Sequence, residues 1–319
     1  LAKQRPFMDG LKSDAFRIHM ELKDRLKVVD SETGAVLDYY RPEPVMSEEK
    51  KRSFKFMTEL DYHADKYGGF IIAFFEGSRR MTDIFPDLTQ ADYARLLYVS
   101  TYTAYSERDD LHCYLKHDNG HFINRSSLFK LLGVARNTFS AFYRKLIDNN
   151  IIQELDGKLA INPEFFFRGE IKKVSHFHSR TTVHTRVFRR TVRELYQKYG
   201  RRKTKQLGIL YAILPYVNFR YNILCHNPTE SNCELIHPMK LGELADKLRY
   251  RNASKLKTAM RGIRFEDMPV FQFVEDAHDN RQRKVIVNPA LFYASGGETL
   301  ETAKVLFQQN GGSGYKKDI

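Results

Sequence analysis

A mainly α fold with small β wings, an α+β class, is predicted for this 319-residue chain by three observations. Two segments end alike, in Ala160-Ile-Asn-Pro-Glu-Phe-Phe-Phe167 and Val285-Ile-Val-Asn-Pro-Ala-Leu-Phe-Tyr293, with their Asn-Pro pairs 288 − 162 = 126 residues apart. Upstream of each stands an apolar helix pattern (about Leu96-Leu97 and Leu210-Tyr211), a second short helix, an Arg-Asn pair (Arg136-Asn137, Arg251-Asn252), a third helix and a β-ribbon. The offset between copies is 113 from Leu97 to Leu210, 115 at the Arg-Asn pairs and 126 at Asn-Pro, so nearly all the added length is expected in the ribbon, where a projecting wing tolerates insertion. Helix, turn, helix and ribbon in that order make a winged helix, so the expectation is two tandem winged-helix (helix-turn-helix) domains.

Residues 1–85 read as an accessory region. Leu26–Leu37 has the form of a hairpin about Ser31–Gly34, Arg41-Pro-Glu-Pro44 breaks the chain, and Gly68-Gly69 precedes a strand-like Phe70–Phe75. Residues 86–171 form the first domain. Thr89 is the expected N-cap of a helix through Ala104, with Tyr93, Leu96, Leu97, Val99 and Tyr102 partly on one face. Asp118-Asn119-Gly120 marks a tight turn, Ser126 or Ser127 caps a short helix that ends at Gly133, and Asn137 or Thr138 opens the third helix, stopped by Asn149-Asn150. Ile151–Leu155 and Lys158–Ile161, joined at Asp156-Gly157, make the wing. Residues 172–204 read as a basic linker helix. In the second domain, 205–297, a helix from Gln206 to Val217 is ended or kinked by Pro215, Pro238 suits the first turn of Met239–Leu248, and the third helix runs from Asn252 to Phe265. Its wing is Val270–Val274 and Arg281–Val287; residues 298–319 are expected to be a flexible tail.

Composition narrows the partner. The net charge is +13, and from Lys172 to Lys205 there are twelve Lys or Arg against the single acid Glu194. A basic run of this density points to phosphates, with a solvated helix face as the plain alternative. Third helices that enter the major groove present polar side chains from their N-terminal half, flanked by cations. The residues so placed are Arg136, Asn137, Thr138, Ser140, Arg144 and Lys145 in the first domain and Arg251, Asn252, Ser254, Lys255, Lys257 and Arg261 in the second. Wing cations are Lys158 in the first and Arg281, Arg283 and Lys284 in the second; the linker adds Arg186, Arg189, Arg190, Arg193, Arg201, Arg202 and Lys203. No run of about 18 apolar residues occurs and Leu1–Pro6 lacks an apolar signal core, which predicts a cytoplasmic protein without membrane contact.

The segment from Asn124-Arg-Ser-Ser-Leu-Phe through Leu132-Gly-Val-Ala-Arg-Asn-Thr-Phe139 to Asn162-Pro-Glu-Phe-Phe-Phe-Arg-Gly169 resembles the winged-helix domain of RepL-type plasmid replication proteins of Firmicutes. More distantly it is similar to MarR-type transcriptional regulators. The resemblance covers roughly residues 90–170 and departs from the family pattern in the second copy, since the usual member has one such domain. Two in tandem also resemble the dual winged-helix initiators of theta-replicating plasmids, which bind direct repeats. The resemblance implies a plasmid or phage replication initiator on double-stranded DNA, at direct repeats or a bipartite site, with host replication proteins and a second copy of the chain as further partners. A winged-helix transcriptional regulator is the alternative.

Enzyme readings rest on thinner patterns. His176-Phe-His178 puts two imidazoles on one face of a strand, as in metal-dependent nicking enzymes, with Tyr196 and Tyr199 as nucleophiles, but no third ligand is apparent. Cys225-His226, Cys233 and His237 could surround zinc, yet adjacent ligands strain the tetrahedron and no Cys-x2-Cys knuckle exists. The expectation is therefore a non-enzyme with no cofactor, no catalytic residue and no metal site.

Overall fold

The computed structural model describes residues 33–34, 36, 47–74, 85–106, 112–170, 184–274 and 284–309, in a mixed α+β arrangement. Two compact units divide the chain, residues 1–55 and 56–319. Of the expected Leu26–Leu37 hairpin, the turn at Thr33-Gly34 is described, with Gly34 at φ 69°. His176–His178 and Gly311–Gly314 lie outside the described residues.

Helix α1 (Glu48–Lys66) leads through Gly68-Gly69 into strand β1 (Phe70–Phe74), as the glycine pair and the apolar run predict. Helix α2 (Gln90–Ser100) is capped by Thr89 in a capping box with Asp92, and it stops at Thr101, short of the expected Ala104. It is buried on nearly every side, more than one apolar face requires. After β2 (Cys113–Tyr114), helix α3 (Arg125–Leu132) is capped by Asn124 and Ser127 in a reciprocal box, one turn earlier than the serines suggest, and Gly133 ends it at φ 60°. Helix α4 (Arg136–Asp148) buries Phe139, Phe142, Tyr143 and Leu146. The ribbon β3 (Ile152–Leu155) and β4 (Lys158–Ile161) turns at Asp156-Gly157, both with positive φ (49° and 72°), and β2 adds to it in the order β2-β4-β3. Strand β5 (Phe166–Phe167) closes the first repeat.

The second repeat retraces this path, and it begins earlier than expected. Residues 184–199 are no solvated linker: β6 (His184–Phe188) and α5 (Arg189–Tyr199) bury Val187, Phe188, Val192 and Leu195. Helix α6 (Thr204–Ala212) gives way to a 3-10 turn, Leu214–Tyr216, at Pro215, as the proline dictates. Pro238 bridges Cys225 instead of opening a helix, and α7 spans Leu241–Lys247. Helix α8 (Ala253–Arg261) ends before Phe265, because β7 (Arg264–Phe265) and β8 (Met268–Pro269) turn back at Glu266-Asp267, both left-handed. The antiparallel ribbon strands of this repeat are β9 (Phe271–Val274) and β10 (Lys284–Val287), followed by β11 (Phe292–Tyr293). The expected flexible tail is a helix as far as Gln309: α9 (Gly297–Gln309) buries Leu300, Ala303 and Phe307.

A four-stranded sheet, β11-β6-β1-β5, joins the repeats around a local twofold. Phe70 faces Phe188, Ile72 faces Arg186 and Phe74 faces His184, so a shift of 184 − 70 = 188 − 74 = 114 maps β1 onto β6, with Ile72–Arg186 at the centre. The outer strands keep the relation, Phe166 facing Ala73 as Phe292 faces Val187, and Phe167 facing Ile72 as Tyr293 faces Arg186. Across the same divide α2 packs on α6, with Tyr93 stacked on Tyr211 at 5.2 Å. A Cβ at Gly208 would collide with the Gln90 carbonyl oxygen, so this close approach needs glycine.

The shared Asn-Pro endings have a shared physical cause. Asn162 N–H donates to the Ile151 carbonyl (2.9 Å), its Nδ2 to Asn150 O (3.1 Å), and its Oδ1 accepts from Glu164 N–H (2.9 Å). Asn288 repeats the set with Val270 O (2.9 Å), Pro269 O (3.2 Å) and Ala290 N–H (2.9 Å). Ile151 and Val270 are 119 apart, so four added residues (119 − 115) precede the ribbon, two before the third helix, whose N-caps Ala135 and Asn252 are 117 apart, and two at the β7–β8 hairpin, while seven (126 − 119) lie within it. The expectation that nearly all the insertion sits in the wing is corrected to that extent.

Candidate nucleic-acid interface

Each third helix is set by its buried side and read by what remains outside. On α4 the buried aromatic row leaves Arg136, Asn137 and Thr138 exposed in the first turn and Arg144 exposed further along, with Ser140 half-buried. Lys145 is withdrawn from this set. Its Nζ donates to Asp92 Oδ2 (2.9 Å) and to the Asp87 carbonyl (2.5 Å), which ties α4 to the start of α2. Burial alone would raise the Asp92 carboxyl, but hydrogen bonds from Thr89 and Lys145 outweigh it and hold the group below the usual carboxylate range.

On α8, Leu256 and Met260 are buried while Arg251, Ser254, Lys255 and Arg261 are exposed. Asn252 is the N-cap, and its amide oxygen accepts the Lys255 N–H at 2.9 Å, so its side chain is engaged with the backbone. Lys257 and Arg261 lie 5.5 and 5.4 Å from the centroid of Phe273 on β9. Helix α8 carries no acid. Arg249, which charge counting passed over, stands exposed at φ 57° where the first repeat has Gly133 at φ 60°.

The basic run 184–203 divides in two. Arg186 donates to the Ala294 and Ser295 carbonyls (2.9 and 3.0 Å), and burial holds its guanidinium below its ordinary value. Arg189 and Arg193, with side chains 12% and 14% exposed, share Asp118 at 2.9 and 2.6 Å and also bind Thr101 at the end of α2. Burial, together with Arg168 and Arg193 nearby, pushes Arg189 down to about 10. Arg190 pairs with Glu194 (2.6 Å) and Glu266 (3.0 Å). Arg189 and Arg193 thus staple the repeats together and Arg186 and Arg190 bond groups of the second, which corrects the reading of these four as free phosphate contacts. Helical spacing could not reveal this, because Thr101, Asp118 and Ala294 are distant in sequence. Arg201, Arg202 and Lys203, in the loop between α5 and α6, are exposed and make no ion pair with a described residue. The Arg201 guanidinium lies 3.9 Å from where a Cβ on Gly133 would stand, beside the turn between α3 and α4. On the other side of the divide, Gln90 Nε2 donates to Leu248 O (3.4 Å) at the turn between α7 and α8.

In the ribbons, Lys158 lies over Phe122 (4.5 Å) and Lys284 is half-buried; Arg281 and Arg283 fall outside the described residues. Tyr196 is buried, stacked on Tyr98 at 4.0 Å, and burial raises its hydroxyl pKa; the Tyr199 hydroxyl bonds the Arg264 backbone. Burial pushes the Cys225 thiol up to about 12, Cys233 is exposed, and His226 pairs with Glu243 at 2.9 Å. Among the described residues no three His, Cys, Asp or Glu side chains gather as a metal would require, and no helix is long and apolar enough to cross a membrane. Comparison of the chain with protein-family models, with curated proteins and with solved structures finds no match.

Proposed function

We propose that this chain binds double-stranded DNA sequence-specifically through two winged helices and acts as a replication initiator at a plasmid or phage origin, with no covalent step of its own. The observation that carries this reading is the pairing of two third helices whose exposed N-terminal ends are polar, cationic and free of acid, Arg136-Asn-Thr138 in the first turn of α4 and Arg251-Asn-Ala-Ser-Lys255 across the N-cap and first turn of α8. Base edges would be read by Arg136, Asn137, Thr138, Arg251 and Ser254. Arg144, Arg201, Arg202, Lys203, Arg249, Lys255 and Arg261 would hold phosphates. Because α2 and α6 pack directly, both readers belong to one compact unit and their spacing is fixed by the core. Readers related by a twofold meet their two half-elements in opposite sense, so a single chain covers a bipartite site, and direct repeats would hold successive chains.

The test is binding of the whole chain to candidate origin DNA across a salt series, with footprinting. Log affinity should fall with log salt by about 0.9 per phosphate contact, and two adjacent segments should be protected. Salt-insensitive binding, or protection of a single segment, would sink the proposal. Support of plasmid replication from the protected sequence separates an initiator from a transcription regulator, which would only repress or activate a neighbouring promoter. Incubation of supercoiled origin plasmid with Mg²⁺ or Mn²⁺ should give no covalent adduct; an adduct lost in Tyr199→Phe would establish nicking chemistry instead.

A further inference from the structure

The outer face of the first ribbon lies outside the residues proposed above to hold the duplex. Strand alternation sends Cys113 and Leu115 into the core, 1% and 0% exposed, and turns His112, Tyr114 and Lys116 outward. The His112 and Tyr114 rings are 5.5 Å apart, and Tyr114 meets Phe122 nearly edge to face at 5.3 Å. Two ammonium groups lie over Phe122, Lys116 at 4.4 Å and Lys158 at 4.5 Å, and Lys158 also reaches Tyr114 at 5.9 Å. Phe122 is nonetheless 38% exposed. Among the described acids, Asp118 is engaged by Arg189 and Arg193 and Glu154 by the Tyr143 hydroxyl, and Asp156 stands at the ribbon's tip.

The second repeat shows what this face does when it serves only for packing. Leu115 N–H donates to Leu159 O as Leu224 N–H donates to Val285 O (2.7 and 2.8 Å), which matches Tyr114, Lys116 and Ala160 with Ile223, Cys225 and Ile286. Those three are buried in a cluster with Ile236 and with Phe307 of α9. One copy of the face is apolar and covered; the other is aromatic, cationic and open.

We infer that the outer face of the first ribbon binds single-stranded DNA, its bases stacking on Tyr114 and Phe122 while Lys116 and Lys158 leave the rings for the phosphates. An ammonium over an exposed ring is a weak contact, whereas base stacking on an aromatic ring is stronger and tolerant of sequence. The face is turned away from the core into which α4 packs, so a single strand and a duplex on α4 do not compete for the same side chains. This inference does not rest on duplex binding.

The chain has no Trp, so Phe122→Trp places a single fluorescent indole in the platform. Titration with oligo(dT) should quench it. By anisotropy, Phe122→Ala and Tyr114→Ala should each weaken oligo(dT) binding roughly tenfold while duplex binding and the melting curve stay unchanged. Lys116→Gln and Lys158→Gln should each lower the single-strand salt slope by about 0.7, an independent readout should an alanine variant fail to fold. No quenching, or unaltered oligo(dT) binding by the double alanine variant, would overturn the inference, and tighter binding of oligo(U) would overturn its assignment to DNA. Wild-type chain that binds oligo(dT) but no duplex would leave the platform standing and remove the duplex proposal alone.

Discussion

The first repeat anchors its third helix with four buried side chains, Phe139, Phe142, Tyr143 and Leu146, and leaves its ribbon face open; the second anchors its third helix with Leu256 and Met260 and closes its ribbon face under Phe307. The two copies share backbone hydrogen bonds at the ribbon, Leu115 and Leu224 donating to Leu159 and Val285, and the bonds of Asn162 and Asn288. What differs is where each copy spends its apolar side chains. Those on the first third helix hold a polar first turn firmly, and those on the second ribbon recruit a C-terminal helix. Duplicated topology therefore leaves different surfaces for ligands, according to which faces the core has already taken.

The largest effect should come from parting the copies. Gly208→Val drives side-chain atoms into the Gln90 backbone and should cost roughly 3 kcal/mol or more, a fall in Tm near 10 °C, with both repeats melting together. Two separate transitions would show that the repeats fold independently and would undo the claim of a single unit.

Acid should reach the two copies unequally. His63 is 4% exposed, bonds the carbonyl of Pro289 at the end of the second repeat (3.0 Å), and burial pushes it down to about 4. Its unfolded value is near 6.5, so between these limits the unfolded chain binds the more protons. Stability is then full above pH ~6.5 and declines as pH falls toward 4, by about 3 kcal/mol from this group. Urea midpoints measured from pH 7 to 4.5 should decline less in His63→Gln than in wild type; parallel curves would assign the acid sensitivity to other groups.

A smaller effect distinguishes two readers from one. Arg136→Ala and Arg251→Ala should each lose about 1–3 kcal/mol of discrimination at particular base pairs. If Arg251→Ala weakens every sequence alike, the second repeat is a phosphate clamp and the first alone reads bases. The smallest change makes the turns alike: Arg249→Gly removes a left-handed arginine and should stabilise the chain by roughly 0.5–1 kcal/mol, while lowering the salt slope of duplex binding by about 0.9. A stability gain with an unchanged slope would place Arg249 off the DNA.

Sequence alone carried the elements whose causes are local. Thr89 before Asp92, Gly133 after Leu132, Pro215 within an apolar run, Asp156-Gly157 between two strands and the twin Asn-Pro endings each fix backbone geometry within a few residues, and each is found where local chemistry puts it. The mixed α+β class and the equivalence of the two segments follow from those signals. Tertiary structure alone decided which cations face solvent. Arg186, Arg189 and Arg193 are indistinguishable in type from Arg201 and Arg202, yet their partners are carbonyls and a carboxylate from remote parts of the chain. It also decided that a presumed linker supplies a central strand of the joining sheet, and that one ribbon face is covered while its twin is open. Burial is a property of what packs against a residue, and those neighbours here lie tens to more than a hundred residues away in the chain.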